Sequence, residues 1–263
     1  MTGKYVTLSH CWGKAQISRL LTSNQADFER GILIATLPVT FQQAIYITRF
    51  LDIPYLWIDS LCIVQNSATD WEVESAAMAK VYGHGLVNIA AASSADSSSG
   101  LFFDRDPAIV QPFTVYTPGS GTLAEGWYTW EDNNRWCRIG EEPLHQRGWV
   151  LQERLLSSRT VHFAKSEIIW HCLQDIGSQS IPTRIPAAGW IGSQIMDYSD
   201  IRITMAEMRG VTPKRAKLSR DWGLLVGHYT RCGLTKGEDK LVAVFGIVDL
   251  IEQLTGDCCL TGM

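Results

Sequence analysis

Between residues 5 and 93 the chain alternates short strand-forming runs with longer stretches of helical periodicity, and no other feature restricts its fold as strongly. Tyr5, Val6, Thr7 and Leu8 open a strand within "YVTLSHCWG", residues 5–13. Residues 24–31 predict a short helix ending at Gly31. A helix from about Pro38 to Leu51 follows, with proline in its first turn and Phe41, Ala44, Ile45 and Thr48 on one face. "YLWIDSLCIV", residues 55–64, is apolar enough for a buried strand. Ser67 and Asp70 have capping-box spacing and open a helix that reaches about Tyr82, before Gly83 and Gly85. "LVNIAAAS", residues 86–93, is a third strand.

Strand, helix, strand, helix, strand is the pattern of an α/β fold, with a parallel sheet and right-handed crossovers. Ligands of such sheets bind outside the carboxyl ends of the strands. Here those ends are Ser9 to Gly13, Asp59 to Gln65, and Ser93 to Gly100.

Residues 101–145 break the alternation and read as irregular. Residues 147–159, "RGWVLQERLLSSR", are helical, and "TVHF" with "EIIWHC" form a hairpin. Residues 182–213 read as loop with one helix, and two further helices carry "DWGLLVGHYTRC" and "KLVAVFGIVDLIEQL". No internal repeat or linker divides the chain, so the second half is expected to pack onto the first.

Composition narrows the function classes. Of 263 residues, 46% are hydrophobic and 19% charged, which suits a globular chain with a sizeable core. The net charge is −4 and no basic run exceeds two residues, which argues against a nucleic-acid groove. The seven cysteines lack framework spacing, as expected in a reducing compartment. With no apolar leader and no span of ~18 apolar residues, the expectation is a cytoplasmic protein without a membrane span. His171, Cys172 and the other histidines and cysteines show no metal-ligand spacing, so no metal site is expected.

Several residues are candidates for chemistry, each with a plainer structural alternative. Trp71, Glu74, Met78 and Tyr82 share a helix face, placing the Glu74 carboxylate within an apolar stripe. It is either a reactive carboxylate raised by burial or a clamp for an arginine or backbone amide. Asp59, at the end of the second strand, holds a ribose hydroxyl or braces a loop. Ser9 can donate to a phosphate or ribose. His10 and Cys11 are neighbours in an extended chain and point to opposite faces, which disfavours a nucleophile–base pair. Trp12 then Gly13 fit a flat ring beside a backbone that comes close to something. "SSADSSSG" is hydroxyl-rich but matches no phosphate-loop pattern. Arg147, Gln152, Glu153 and Arg154 form a polar cluster with Trp149, in which Arg147 and Arg154 either neutralise Glu74, bind an anion or join an internal ion-pair network.

Together, "LSHCWG", "LWIDSLCIVQNSATDW", "ESAAMAKVYGHG", "GLFFDR" and "RGWVLQERLLSSRTVHF" resemble the heterokaryon incompatibility (HET) domain of filamentous fungi. The resemblance covers residues 5–175, and "DKLVAVFGI" is similar to the segment after such domains. It implies a role in non-self recognition that ends in growth arrest and programmed cell death. HET domains are distantly similar to Toll/interleukin-1 receptor (TIR) domains, which implies a flavodoxin-like parallel sheet with helices on both faces. The core would span residues 5–100, an irregular insertion with helix and hairpin residues 101–175, and a mostly helical α+β extension residues 176–263. "DWEVE" is similar to the Trp and catalytic Glu of TIR enzymes that cleave NAD, which carries the catalytic role onto Glu74. The TIR pair usually encloses three residues, whereas Trp71 and Glu74 enclose two. For this family the chain starts and stops abruptly, as a short member or a fragment would.

On that carry-over NAD is a substrate rather than a cofactor. Trp12 and Gly13 flank a ring, Ser9 and Asp59 hold ribose or phosphate, and Arg147 meets the pyrophosphate. The competing readings are a non-enzymatic module that self-associates or recruits a partner protein, and a hydrolase or transferase built on Ser9 or Cys11.

Overall fold

The computed structural model describes residues 3–13, 18–107, 113–119, 126–130, 138–173, 175–180 and 215–256. A six-stranded sheet organises them. Strand β1 (Tyr5–Ser9) lies between β2 (Tyr55–Ile58) and β3 (Val87–Ala90), parallel to both. Strand β6 (Arg159–Phe163) adds parallel to β3, and β7 (Ile168–Cys172) and β8 (Ile176–Ser178) extend the sheet antiparallel. The order is β2-β1-β3-β6-β7-β8, so the expected parallel sheet is a mixed one of the α/β class. The strand order of its parallel part reverses between β1 and β3, the place where such sheets leave a crevice.

Alternation along β1 sorts its side chains between two layers. Val6 and Leu8 join Phe41, Ala44, Ile58, Val87, Ile89 and Phe163 in one core, closed by α2 (Val39–Phe50). Thr7 and Ser9 face the other layer and meet Asn88 of β3. That layer contains α4 (Ala68–His84), where Met78 and Tyr82 pack with Ile63 beside Trp57 and Trp149. The expected cap of α4 is present: the Asp70 amide donates to Ser67 Oγ over 3.2 Å. Pro38 is the N-cap of α2, one residue outside the helix.

Three boundaries differ from the sequence reading. The second strand stops at Ile58, and residues Asp59–Cys62 form a helical turn, α3, instead of extending the strand to 64. Asp59 causes the break, because its Oδ1 accepts from the Ser60 amide at 2.6 Å and its carbonyl accepts from Ile63. Within the stretch read as irregular, β4 (Phe113–Thr117) and β5 (Gly126–Trp130) pair antiparallel. Helix α6 (Arg215–Tyr229) begins earlier than its apolar run suggests. The loop and helix assigned to 182–213 lie outside the described residues.

The C-terminal helices pack onto the core as expected. Leu151 and Leu155 of α5 (Gly148–Leu156) form an apolar cluster with Leu225 and Tyr229 of α6 and with Ala243, Val244 and Ile247 of α7 (Asp239–Thr255). The Gly246 amide donates to Gln152 Oε1 at 2.8 Å, and Trp149 Nε1 donates to Asp239 Oδ2 at 3.2 Å. Helix α5 is thereby fixed on its outer side, which sets where its inner side points.

Candidate functional site

The carboxyl end of β1 converges with α3, α4 and α5. Ser9, His10 and Cys11 are buried, while Trp12, Asp59 and Arg147 are half-buried and Gly13 is exposed. Trp12 Nε1 donates to Asp59 Oδ2 at 2.9 Å, so Asp59 holds the indole across the crevice. His10 Nε2 is 3.3 Å from Asp59 Oδ1, without hydrogen-bond alignment, and its ring stacks on Phe41 with centroids 4.8 Å apart. Burial pushes His10 down to about 4 against the pull of Asp59, so the imidazole is neutral at physiological pH. Arg147 donates to the His10 carbonyl.

Cys11 turns the opposite way, into an apolar contact with Ala90, Leu144 and Val150. His10 and Cys11 therefore occupy opposite faces, as their extended backbone requires. Burial raises the Cys11 thiol, which keeps it protonated and weakens a nucleophile reading.

Gly13 has φ +68°, and its backbone runs against Asp96, where a Cβ would collide with the Asp96 side chain. The close approach expected there is to the chain's own loop. In that loop Asp96 Oδ1 accepts from the Ser98 amide and hydroxyl and from Ser99, and Ser97 donates to the Cys11 carbonyl. These bonds shape the loop and brace the end of β1.

A second carboxyl lies deeper. Glu153 of α5 is 6% exposed and faces Ser9 and Tyr82, both also buried. Burial pushes Glu153 up to about 7; the Ser9 hydroxyl and Arg147 oppose that shift, and Asp59 adds to it. Tyr82 is held well above the ordinary phenol range, first by burial and then by Glu153 and Asp59. Ser9, Asp59 and Arg147 are thus brought together, and Glu153 joins them.

Glu74 stands elsewhere on α4. It is half-buried, and burial followed by the Asp70 charge raises it. The Cys62 thiol senses both Glu74 and Asp59, which sets Glu74 on the α3 side of the crevice. Arg154 is buried in α5. Its charge acts on His145 and His228, lowering both after burial has done so.

Sequence reasoning noted Glu153 only as one polar residue of a cluster.

The family profile described as heterokaryon incompatibility protein (HET) matches residues 5–153, from the first residue of β1 to Glu153 itself. The chain belongs to the HET family. The match takes in the crevice residues Ser9, His10, Trp12, Gly13, Asp59, Arg147 and Glu153, together with Glu74. Comparison with curated proteins and with solved structures gives no match. Membership of the HET family assigns the chain a role in heterokaryon incompatibility. Among the described residues no helix is long and apolar enough to cross a membrane, and no group of histidine, cysteine and carboxylate side chains is disposed to hold a metal ion.

Proposed function

We propose that this HET protein is a non-self recognition effector that triggers programmed cell death by hydrolysing the nicotinamide–ribose bond of NAD at the β1 crevice. The observation that carries the reading is the buried Glu153 carboxyl, which faces Ser9 at the carboxyl end of β1 and stands four residues after Trp149. Arg147 and Asp59 flank it with opposite charges.

The chemistry asks little of the protein. The C1′–N bond breaks, nicotinamide leaves neutral with the bonding electron pair, and positive charge develops on the ribose. A carboxylate beside the ribose orients its hydroxyls and stabilises that charge, as in glycoside hydrolysis. Water then bonds to C1′ and releases its proton. Glu153 is assigned the carboxylate role. Ser9 and Asp59 hold ribose or phosphate, Trp12 and Gly13 flank a ring, and Arg147 meets the pyrophosphate. Glu74, on the α3 side, remains a second carboxylate to be tested. The protein would act in the cytoplasm, where NAD is abundant.

A second reading, a self-associating or partner-recruiting module, is favoured by the exposed apolar side chains of Val39, Tyr46 and Phe50 on α2. Induced expression in a cellular host separates the two. Growth arrest with falling NAD, abolished by Glu153→Gln at equal protein level, supports the enzyme. Arrest with NAD unchanged supports the module.

A further inference from the structure

Helices α4 and α7 touch at Ala79 and Gly246, where a Cβ on Gly246 would lie 2.4 Å from the Ala79 Cβ. Toward their N-terminal turns a cavity of about 310 Å³ opens between them. The crevice residues Ser9, Asp59, Arg147 and Glu153 take no part in its walls. Its volume lies at the small end of the range for ligand pockets, roughly 300–1,000 Å³. The walls are mostly apolar, with Trp71 and Ala76 from α4 and Leu241, Val242 and Phe245 from α7. Gln152 closes the inner end beside Gly246 and is 1% exposed. Its Oε1 accepts from the Gly246 amide at 2.8 Å, so the donor it has to offer a ligand is Nε2. Glu72 and Leu241 are exposed at the other end. Among the described residues Glu72 is the one charged side chain on the wall, and no Lys or Arg pairs with it. The first-turn acids Asp70 and Asp239 offset the positive N-terminal ends of the two helices.

From this juxtaposition we infer that the cavity between α4 and α7 is a binding site for a small organic cation, an ammonium on an aryl body with a hydrogen-bond acceptor at its far end. The ammonium meets the Glu72 carboxylate, and the aromatic rings of Trp71 and Phe245 add the attraction of a π system for a cation. The body fills the apolar stretch, and the acceptor takes the Gln152 Nε2 donor. Glu72 and Ala79 are seven residues apart on α4, about 10 Å of helix rise, which sets the length of a ligand that spans the cavity. The closed end at Gly246 and Gln152 suits a free molecule that terminates there. This site goes beyond the NAD reading and does not depend on it. Gln152 directly precedes Glu153, so the cavity and the crevice share α5.

The test titrates tyramine, a phenol carrying an ethylammonium group, into the full chain by isothermal calorimetry at low ionic strength. The neutral counterpart is 4-ethylphenol, and phenethylamine lacks the phenol oxygen. Tyramine is expected to bind at one site. Glu72→Gln should weaken tyramine about fivefold and leave 4-ethylphenol unchanged. Phenethylamine should bind the wild type about threefold more weakly than tyramine. Ala76→Leu fills the cavity from an exposed position of α4 and should abolish tyramine binding. No saturable binding of tyramine at millimolar concentration would overturn the inference. So would binding that survives Ala76→Leu, an affinity indifferent to Glu72→Gln, or phenethylamine binding as tightly as tyramine. Self-association of the wild-type chain that Ala76→Leu abolishes would assign the cavity to a second copy and overturn it as well. Should Ala76→Leu not fold, Phe245→Ala decides, at a side chain that is 61% exposed. It should weaken tyramine about threefold, and an unchanged affinity there overturns the site.

Discussion

The Glu153 carboxyl of α5 faces the Ser9 hydroxyl of β1, and both side chains are almost sealed from solvent. A carboxyl so placed holds its proton to about 7, far above an unfolded glutamate, and this has a consequence for stability. A raised carboxyl contributes stability that is fully present below the unfolded value and is lost as pH rises through about 7. Glu153→Gln removes that dependence. The stability of Glu153→Gln relative to wild type is predicted to improve by about 3 kcal/mol between roughly pH 4.5 and 7, measured by urea unfolding across that window. A constant difference would show that Glu153 is ionised throughout.

His10 acts in the opposite sense. Its folded value is lowered to about 4, so its contribution is present above the usual histidine value and is lost as pH falls through about 4. His10→Phe keeps the stacking on Phe41 and removes the titration. The variant is predicted to lose about 3 kcal/mol less stability than wild type on acidification from pH 7 to 4. Parallel acid profiles would contradict the buried neutral imidazole.

The packing of the C-terminal extension makes a third prediction. A Cβ at Gly246 would lie 2.7 Å from Gln152 Oε1 and against the Ala79 Cβ, where α7 crosses α4 and α5. Gly246→Ala should destabilise the protein by about 1–3 kcal/mol through overpacking. Thermal unfolding at a fixed pH checks this, with Gly227→Ala, whose Cβ would meet nothing within 4 Å, as the control.

Much of the frame was legible because it is written locally. The strand period of β1, the periodicity of α2 and the Ser67 cap of α4 each depend on residues within a few positions of one another. The end of the second strand was not legible from its apolar run, since Leu61, Cys62 and Ile63 look the same in a strand as in a helical turn. Only the Asp59 side chain, bonding the next amide, decides between them. At the site, the opposed directions of His10 and Cys11 followed from extended geometry. The Glu153 environment could not follow from any local pattern. Its partners Ser9 and Tyr82 lie on β1 and α4, far away in sequence, and its pull toward protonation arises only when the three elements close over it. One sequence signal did point there: polar Thr7 and Ser9 alternating inside a buried strand.

The most direct measurement is nicotinamide release from NAD by the purified chain, by Glu153→Gln and by Glu74→Gln, at high protein concentration with a crowding agent. The account predicts release by the wild type, a loss of at least about a hundredfold in Glu153→Gln, and substantial activity in Glu74→Gln. Release that survives Glu153→Gln but is abolished by Glu74→Gln, with both variants folded, would contradict the assignment of the crevice carboxylate. No release by the folded wild type would contradict the hydrolase and favour the recruiting module.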